Sequence, residues 1–360
     1  MTAIESFIKS HAYGLGFDLV GITRLGEAES SGRFEAWLDR GYAGEMRYLE
    51  RGAEKRRDTR VPFTPAKSAI VVGLDYGGKA PSGPVARYAR GDDYHDVMTE
   101  RLDELHRLIE LELGRPIPGK SYVDTGPILE RDLARKAGLG WFGKNTNLIN
   151  PSIGSFFFIG SLVLDLELQP DDPFEHNRCG TCGRCIDACP TGAIVDDRVI
   201  DATRCIAYLT IELRAAIPEE LRPEIGELIY GCDICQDVCP WNVSFARELK
   251  EPALRPRDAV ATGDTRAFAR ELLAMNDKAF QEIFRGSPMK RAKRAGLARN
   301  AAVVLGNIGN PDDTASLEEA LHDPDPMVRD HVEWALRQID SKQAPGALIR
   351  GTSSGTNVVA

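Results

Sequence analysis

Cysteine is missing from residues 1–178 and again from 240–360, so all eight cysteines lie between Cys179 and Cys239. A disulfide scaffold would distribute its cysteines, and it belongs to small chains in oxidising compartments. An excess of positive charge is also missing. Lys and Arg number 45 against 54 Asp and Glu, a net charge of −9, which excludes a protein that coats nucleic acid through bulk charge. Long apolar runs are lacking: the longest uncharged stretch, 145–164, holds three Asn, a Pro and several Ser and Gly, a poor bilayer span. The first ten residues contain Glu5 and Lys9 and no apolar core, so neither a secretory nor a twin-arginine signal is read there. These absences point to a cytoplasmic protein with no membrane segment. With 360 residues, 42% apolar and 28% charged, the chain has material for two or three ordinary domains.

The cysteines that are present follow a pattern. The first run is Cys179-x2-Cys182-x2-Cys185-x3-Cys189-Pro190, the second Cys232-x2-Cys235-x3-Cys239-Pro240, and Cys205 stands between them. Two-residue spacers let three thiolates curl around one iron–sulfur cubane, while the fourth, followed by Pro, ligates the other cluster. One [4Fe-4S] cluster then takes Cys179, Cys182, Cys185 and Cys239. The other takes Cys189, Cys205, Cys232 and Cys235, and none is left over. Zinc also binds four cysteines, but interleaved runs ending in Cys-Pro are a poor match to zinc-ribbon spacing. The module handles single electrons.

Apolar, β-branched runs at 17–22 and 68–74 predict buried strands. The spacing of Val97, Leu102, Leu105, Leu108 and Ile109 predicts a helix from Tyr94 to Leu113, stopped by Gly114. A short strand at 121–123 precedes a helix opened by Pro127 and stopped by Gly138, and 155–164 reads as a further strand. Helical segments are expected around 205–214 and 223–230. Ala301, Val304, Leu305 and Ile308 match Val332, Ala335, Leu336 and Ile339 at an offset of 31, which suits stacked helix pairs of the HEAT type. The fold class is an α+β multidomain chain: an α/β domain over 1–168, a ferredoxin-like two-cluster module over 169–245, a helical HEAT-like region over 246–340 and a disordered tail over 341–360.

The order of motifs is specific. Asp92-Asp93-Tyr94-His95-Asp96 comes first, then Val123-Asp124-Thr125-Gly126-Pro127 and Gly140-Trp141-Phe142-Gly143-Lys144-Asn145. The Cys179 run follows, and Tyr230-Gly231-Cys232-Asp233-Ile234-Cys235-Gln236-Asp237-Val238-Cys239-Pro240 closes the series. Together they resemble the epoxyqueuosine reductases, cobalamin- and iron–sulfur-dependent enzymes of queuosine synthesis, over about residues 1–340. The resemblance implies reduction of epoxyqueuosine to queuosine at the tRNA wobble position. It also implies cobalamin fed with single electrons by two [4Fe-4S] clusters, and an external electron donor. It makes Asp124 the acid that protonates the departing oxygen; without it, Asp124 reads as a turn or cap residue before the Pro127 helix. Implied corrin neighbours are Arg56, Asp124, Gly143, Leu148, Ile159, Ala207, Asp233 and Ile234, the last three flanking ligands of the second cluster, which is therefore placed nearest cobalt. The Asp-x-His-x-x-Gly motif for a lower cobalt ligand is incomplete, since Met98 stands where Gly is required.

Arg285, Lys290, Arg291, Lys293, Arg294 and Arg299 form a run with no acid before Asp312. Beside the helical repeat it is the expected docking place for a tRNA backbone, with Lys290, Arg291, Lys293 and Arg294 as contacts. Two other readings remain at this point. One is a cytoplasmic enzyme like the reductive dehalogenases, which also join cobalamin to two cubanes; the other is a ferredoxin-type electron carrier with added domains.

Overall fold

The computed structural model describes residues 3–261 and 263–343. Six strands precede the cysteines: β1 (Leu19–Arg24), β2 (Ser68–Asp75), β3 (Gly119–Tyr122), β4 (Trp141–Phe142), β5 (Leu148–Ile149) and β6 (Phe157–Leu164). Four of them form one sheet in the order β1-β2-β6-β3, antiparallel at every step. Every residue of β2 is buried, as a near-continuous apolar run covered on both faces requires. Its side chains alternate: Ile70 and Val72 pack with Met98, Leu102 and Ile109 on one face, while Ala69 and Val71 pack with Leu133 and Ala134 on the other. The excursion between β2 and β6 carries the candidate site residues Asp124, Gly143 and Leu148.

The helix Tyr94–Leu113 has the predicted limits. Asp93 caps it by accepting from the His95 amide, and Gly114 ends it with φ at 63°, a conformation glycine adopts without strain. The helix expected from Pro127 starts later, at Glu130, and runs to Lys136. Only the turn Pro223–Ile225 forms in the segment expected to be helical over 223–230, because Gly226, at φ 58°, turns the chain out.

At the C-terminal end, helices Lys293–Ile308 and Pro326–Gln343 pack together, with Thr314–Ala320 between them in sequence. Ala301, Val304, Leu305, Val332, Ala335 and Ile339 share one core, as the repeat predicted. Gly306 permits the close approach, since a Cβ there would sit 2.3 Å from the Trp334 ring. The same core continues into Ile206, Leu209, Ile217, Ile225 and Tyr230, so the middle of the cysteine module and the C-terminal helices are packed as one body. Residues 341–343 complete the last helix rather than begin a tail, and 344–360, also assigned to that tail, lie outside the described residues.

Candidate electron-transfer module and active site

The eight cysteines are free, with no disulfide among them. They fall into two neighbourhoods. Cys179, Cys182, Cys185 and Cys239 line one cavity of about 230 Å³, and the Cys239 and Cys185 thiols feel the charges of the others. Cys205, Cys232 and Cys235 each interact with Cys189, and Cys235 also reaches Cys185 of the first set. This is the division the spacing implied. Among the described residues, no three Cys, His, Asp or Glu converge as a single-ion site requires.

The donor chemistry also suits thiolates. The Ala193 amide donates to Cys189 Sγ at 3.2 Å. Amides of Ala207 and Tyr208 point at Cys205, that of Ile234 at Cys232, and those of Trp241 and Asn242 at Cys239. Amide hydrogens aimed at sulfur favour the anion. Burial pushes the Cys232 thiol up to about 12, so cluster binding there must release a proton.

Asp124 lies in the loop after β3 with φ at 53°, in the left-handed region. Its Oδ2 accepts from the Tyr94 hydroxyl at 3.0 Å, and its amide donates to Glu130 Oε1 at 2.9 Å. It is not a helix cap, because the 130–136 helix has Leu129 at that position with no side-chain cap. The Tyr94 ring is fixed by stacking on Phe158, with centroids 4.1 Å apart, and burial holds its hydroxyl in the protonated form. Burial, then the neighbouring Asp124, push the Glu130 carboxyl up to about 8. Arg56 is buried beside Asp124, Glu130 and Tyr48, and its Nη1 has no hydrogen-bond partner among the described residues. Rings connect this site to the second thiol set: Tyr94 meets Tyr88 at 6.2 Å, and Tyr88 meets Tyr230, two residues before Cys232, at 6.3 Å.

The other expected cofactor neighbours are used locally as well. Leu148 is buried in the apolar cluster under β2, with Ile159 half-buried against it. A side chain on Gly143 would strike Asn145 Oδ1, and the Asn145 amide donates to the Cys235 carbonyl at 3.2 Å, bracing the loop on the second set. The Asp233 carboxylate accepts from the Arg87 amide at 2.9 Å and from its Nη1 at 3.0 Å, so this side chain ties the 87–90 segment to the module. Ala207 and Ile234 supply the amides that face Cys205 and Cys232. Sequence reasoning did not assign Glu130, Tyr48 or the hydroxyl of Tyr94. Tyr94 stood inside a quoted motif, but a lone acid in a helix's first turn carries no distinguishing signal.

The basic run divides. Arg285 and Lys293 are exposed. Lys290 lies 3.4 Å from Asp93, and Arg291 pairs with Glu212 while its guanidinium sits over the Tyr48 ring at 5.6 Å. Arg294 is bound through two nitrogens to the buried Asp323. Arg299 does not belong to the docking surface: it is fully buried and donates to the carbonyls of Leu209, Leu213 and Ala215. Helical periodicity turned this charge inward, where the run of letters could not show it.

Comparison with known proteins finds three matching family profiles. Residues 56–125 match one described as "Epoxyqueuosine reductase QueG, DUF1730", residues 178–242 a 4Fe-4S double cluster binding domain, and residues 289–358 HEAT repeats. The epoxyqueuosine reductase of Xanthomonas campestris pv. campestris is 42% identical over 343 residues, covering 92% of this chain and 95% of that one. That of Escherichia coli K12 is 39% identical over 352 residues, covering 94% and 90%. A crystal structure of epoxyqueuosine reductase with an epoxyqueuosine-modified tRNA stem loop superposes with a TM-score of 0.84 at 31% identity, over 93% of this chain and 90% of that one. The Bacillus subtilis enzyme, solved with its aspartate catalytic loop swung out of the active site, gives 0.82 at 30% identity over the same shares, 93% and 90%.

Proposed function

Because the chain belongs to the epoxyqueuosine reductase family, we propose that it reduces epoxyqueuosine in tRNA to queuosine, with Asp124 as the proton donor. Family membership sets aside the dehalogenase and ferredoxin readings. The net change is two electrons and two protons, with the epoxide oxygen leaving as water. The observation that carries the assignment is the Asp124 carboxyl, oriented by Tyr94 and joined by a row of rings to the second thiol set. A proton source and an electron source thus meet at one face. The relative whose aspartate loop swings out of its active site supports placing the acid on this loop.

The chain carries a double-cluster 4Fe-4S domain. In our reading Cys179, Cys182, Cys185 and Cys239 hold one cluster, and Cys189, Cys205, Cys232 and Cys235 the other, nearer the reaction. Cobalamin, when bound, supplies a strongly nucleophilic reduced cobalt. Arg56 suits such a group, because its buried, unpartnered Nη1 offers a donor beside Asp124. Gly143, Leu148 and Ile159 would supply close-approach and apolar wall; Ala207 and Ile234 would contact it while facing the cysteines, and Asp233 while bound to Arg87. Residues 1–168 hold cofactor and substrate, 169–245 the clusters and 246–340 the RNA, where Lys290, Arg291 and Lys293 face the backbone and Arg294 adds a charge already paired. The electron donor is an external protein or reductant. No helix among the described residues is long and apolar enough to cross a membrane, and we place the enzyme in the cytoplasm with its tRNA.

The test is anaerobic purification followed by cobalamin and iron assay, then turnover on tRNA carrying epoxyqueuosine. We expect about eight irons per chain, four for each cubane, and conversion to queuosine. A cluster-loaded preparation with cobalamin that leaves the epoxide intact would overturn the assignment.

A further inference from the structure

Glu130 opens the 130–136 helix six residues after Asp124, half-buried and with its carboxyl turned inward. We propose that Glu130 is the positioning residue for Asp124: its carboxyl oxygen latches the Asp124 amide, and the latch loosens when Glu130 ionises. The inference rests on the reading of Asp124 as the acid and adds what holds that acid in place.

The geometry carries the first half. Aspartate enters the left-handed region more readily than most side chains, and in an exposed loop local hydrogen bonds are what hold it there. Asp124 and Thr125 are exposed, so no packing covers the loop from outside. Among the described residues, two hydrogen bonds hold residues 124–126. Tyr94 holds the carboxylate at 3.0 Å and Glu130 holds the amide at 2.9 Å. Tyr94 fixes where the side chain points, and Glu130 fixes the backbone that makes this direction possible. Without Glu130, one contact must hold both.

The second half follows from the charges around Glu130. Asp124 faces it from the loop, Arg131 from its own helix and Arg56 from the 53–57 helix, with the protonated Tyr94 hydroxyl nearby. Burial and Asp124 raise the Glu130 pKa from 4.5 to about 8 in the latched arrangement, against the opposite pull of the Asp124 amide, Arg131 and Arg56. A Glu130 swung into water returns toward 4.5. The latched form therefore binds the proton more tightly. It is favoured at low pH and loses ground as pH rises from 4.5 to about 8.

The experiment is hydrogen–deuterium exchange at the Asp124 amide of the full cluster-loaded chain, corrected for intrinsic rates, at the two ends of the window from pH 4.5 to about 8. Single-turnover reduction is measured alongside. Glu130→Gln keeps a carbonyl acceptor but cannot ionise; Glu130→Ala removes the latch. We expect wild type to lose protection at the alkaline end, Glu130→Gln to keep it, and Glu130→Ala to exchange roughly 2- to 10-fold faster than wild type at the acidic end, the equivalent of one net hydrogen bond. Equal protection in wild type and Glu130→Ala at the acidic end would overturn the latch. So would an alkaline loss of Asp124 amide protection that persists in Glu130→Gln, a comparison that decides even if the alanine variant does not fold. Asp124→Asn at wild-type turnover would instead reject the acid reading and leave the exchange result standing.

Discussion

Asp124 occupies a backbone conformation that few side chains share, and this sharpens its test. Asn enters the left-handed region about as readily as Asp, so Asp124→Asn keeps the backbone and removes only the acid proton. Because Asp124 caps no helix, the variant should melt within a few degrees of wild type, the usual outcome for an exposed polar substitution of about 0.5 kcal/mol or less. Turnover should fall about 10²- to 10⁴-fold, the usual contribution of a positioned acid. Tyr94→Phe removes one orienting bond and should cost less, roughly 2- to 10-fold. Calorimetry and single-turnover reduction on the same cofactor-loaded preparations check both. A destabilised but active Asp124→Asn would remove the residue from the chemistry. At this scale the double-cluster module was legible, because cluster geometry dictates the spacing of its cysteines along the chain. Asp124 needed the family's motif to stand out from ordinary turn residues. Glu130 and Tyr48 could not be read at all, since their meaning comes from which loops meet.

Single elements show the same limit from the other side. The Tyr94–Leu113 helix was readable to its ends because cap, apolar stripe and glycine stop are local signals. The helix from Lys293 to Ile308 was readable as a helix, but not which of its charges face water. Arg299 illustrates the cost of that ambiguity. Its guanidinium serves carbonyls at 2.6, 2.9 and 2.8 Å, those of Leu209, Leu213 and Ala215, and so joins the C-terminal helices to the segment after Cys205. Arg299→Met fills similar volume but leaves those carbonyls unpaired, and should destabilise the fold by more than about 2 kcal/mol. Equilibrium denaturation reads this directly. A surface phosphate-binding arginine would instead weaken tRNA binding and leave stability unchanged.

Across the whole molecule, one core joins the C-terminal helices to the middle of the cysteine module. The proposed tRNA-facing surface is thereby packed on the same body as the middle of the cysteine module. Arg291 makes the link explicit: it pairs with Glu212 and lies over Tyr48, and Tyr48 in turn interacts with Asp124 and Arg56. A chain with net charge −9 must concentrate its attraction for RNA in such a patch. The patch is smaller than the run of basic letters, because Arg299 is buried and Arg294 is committed to Asp323. Replacing Lys290, Arg291 and Lys293 together with Ala should therefore weaken binding of a tRNA stem loop. It should also reduce the slope of log K against log salt by about 2, at roughly 0.7 per phosphate neutralised on flexible RNA. Arg294→Ala should leave the slope where it was and lower stability instead, since it strands the buried Asp323 carboxylate. Fluorescence binding titrations at several salt concentrations, with iron content measured on the same samples, separate the two effects. A triple variant with an unchanged slope would move the RNA to another face. An Arg294→Ala variant that binds weakly at full stability would return that residue to the docking surface.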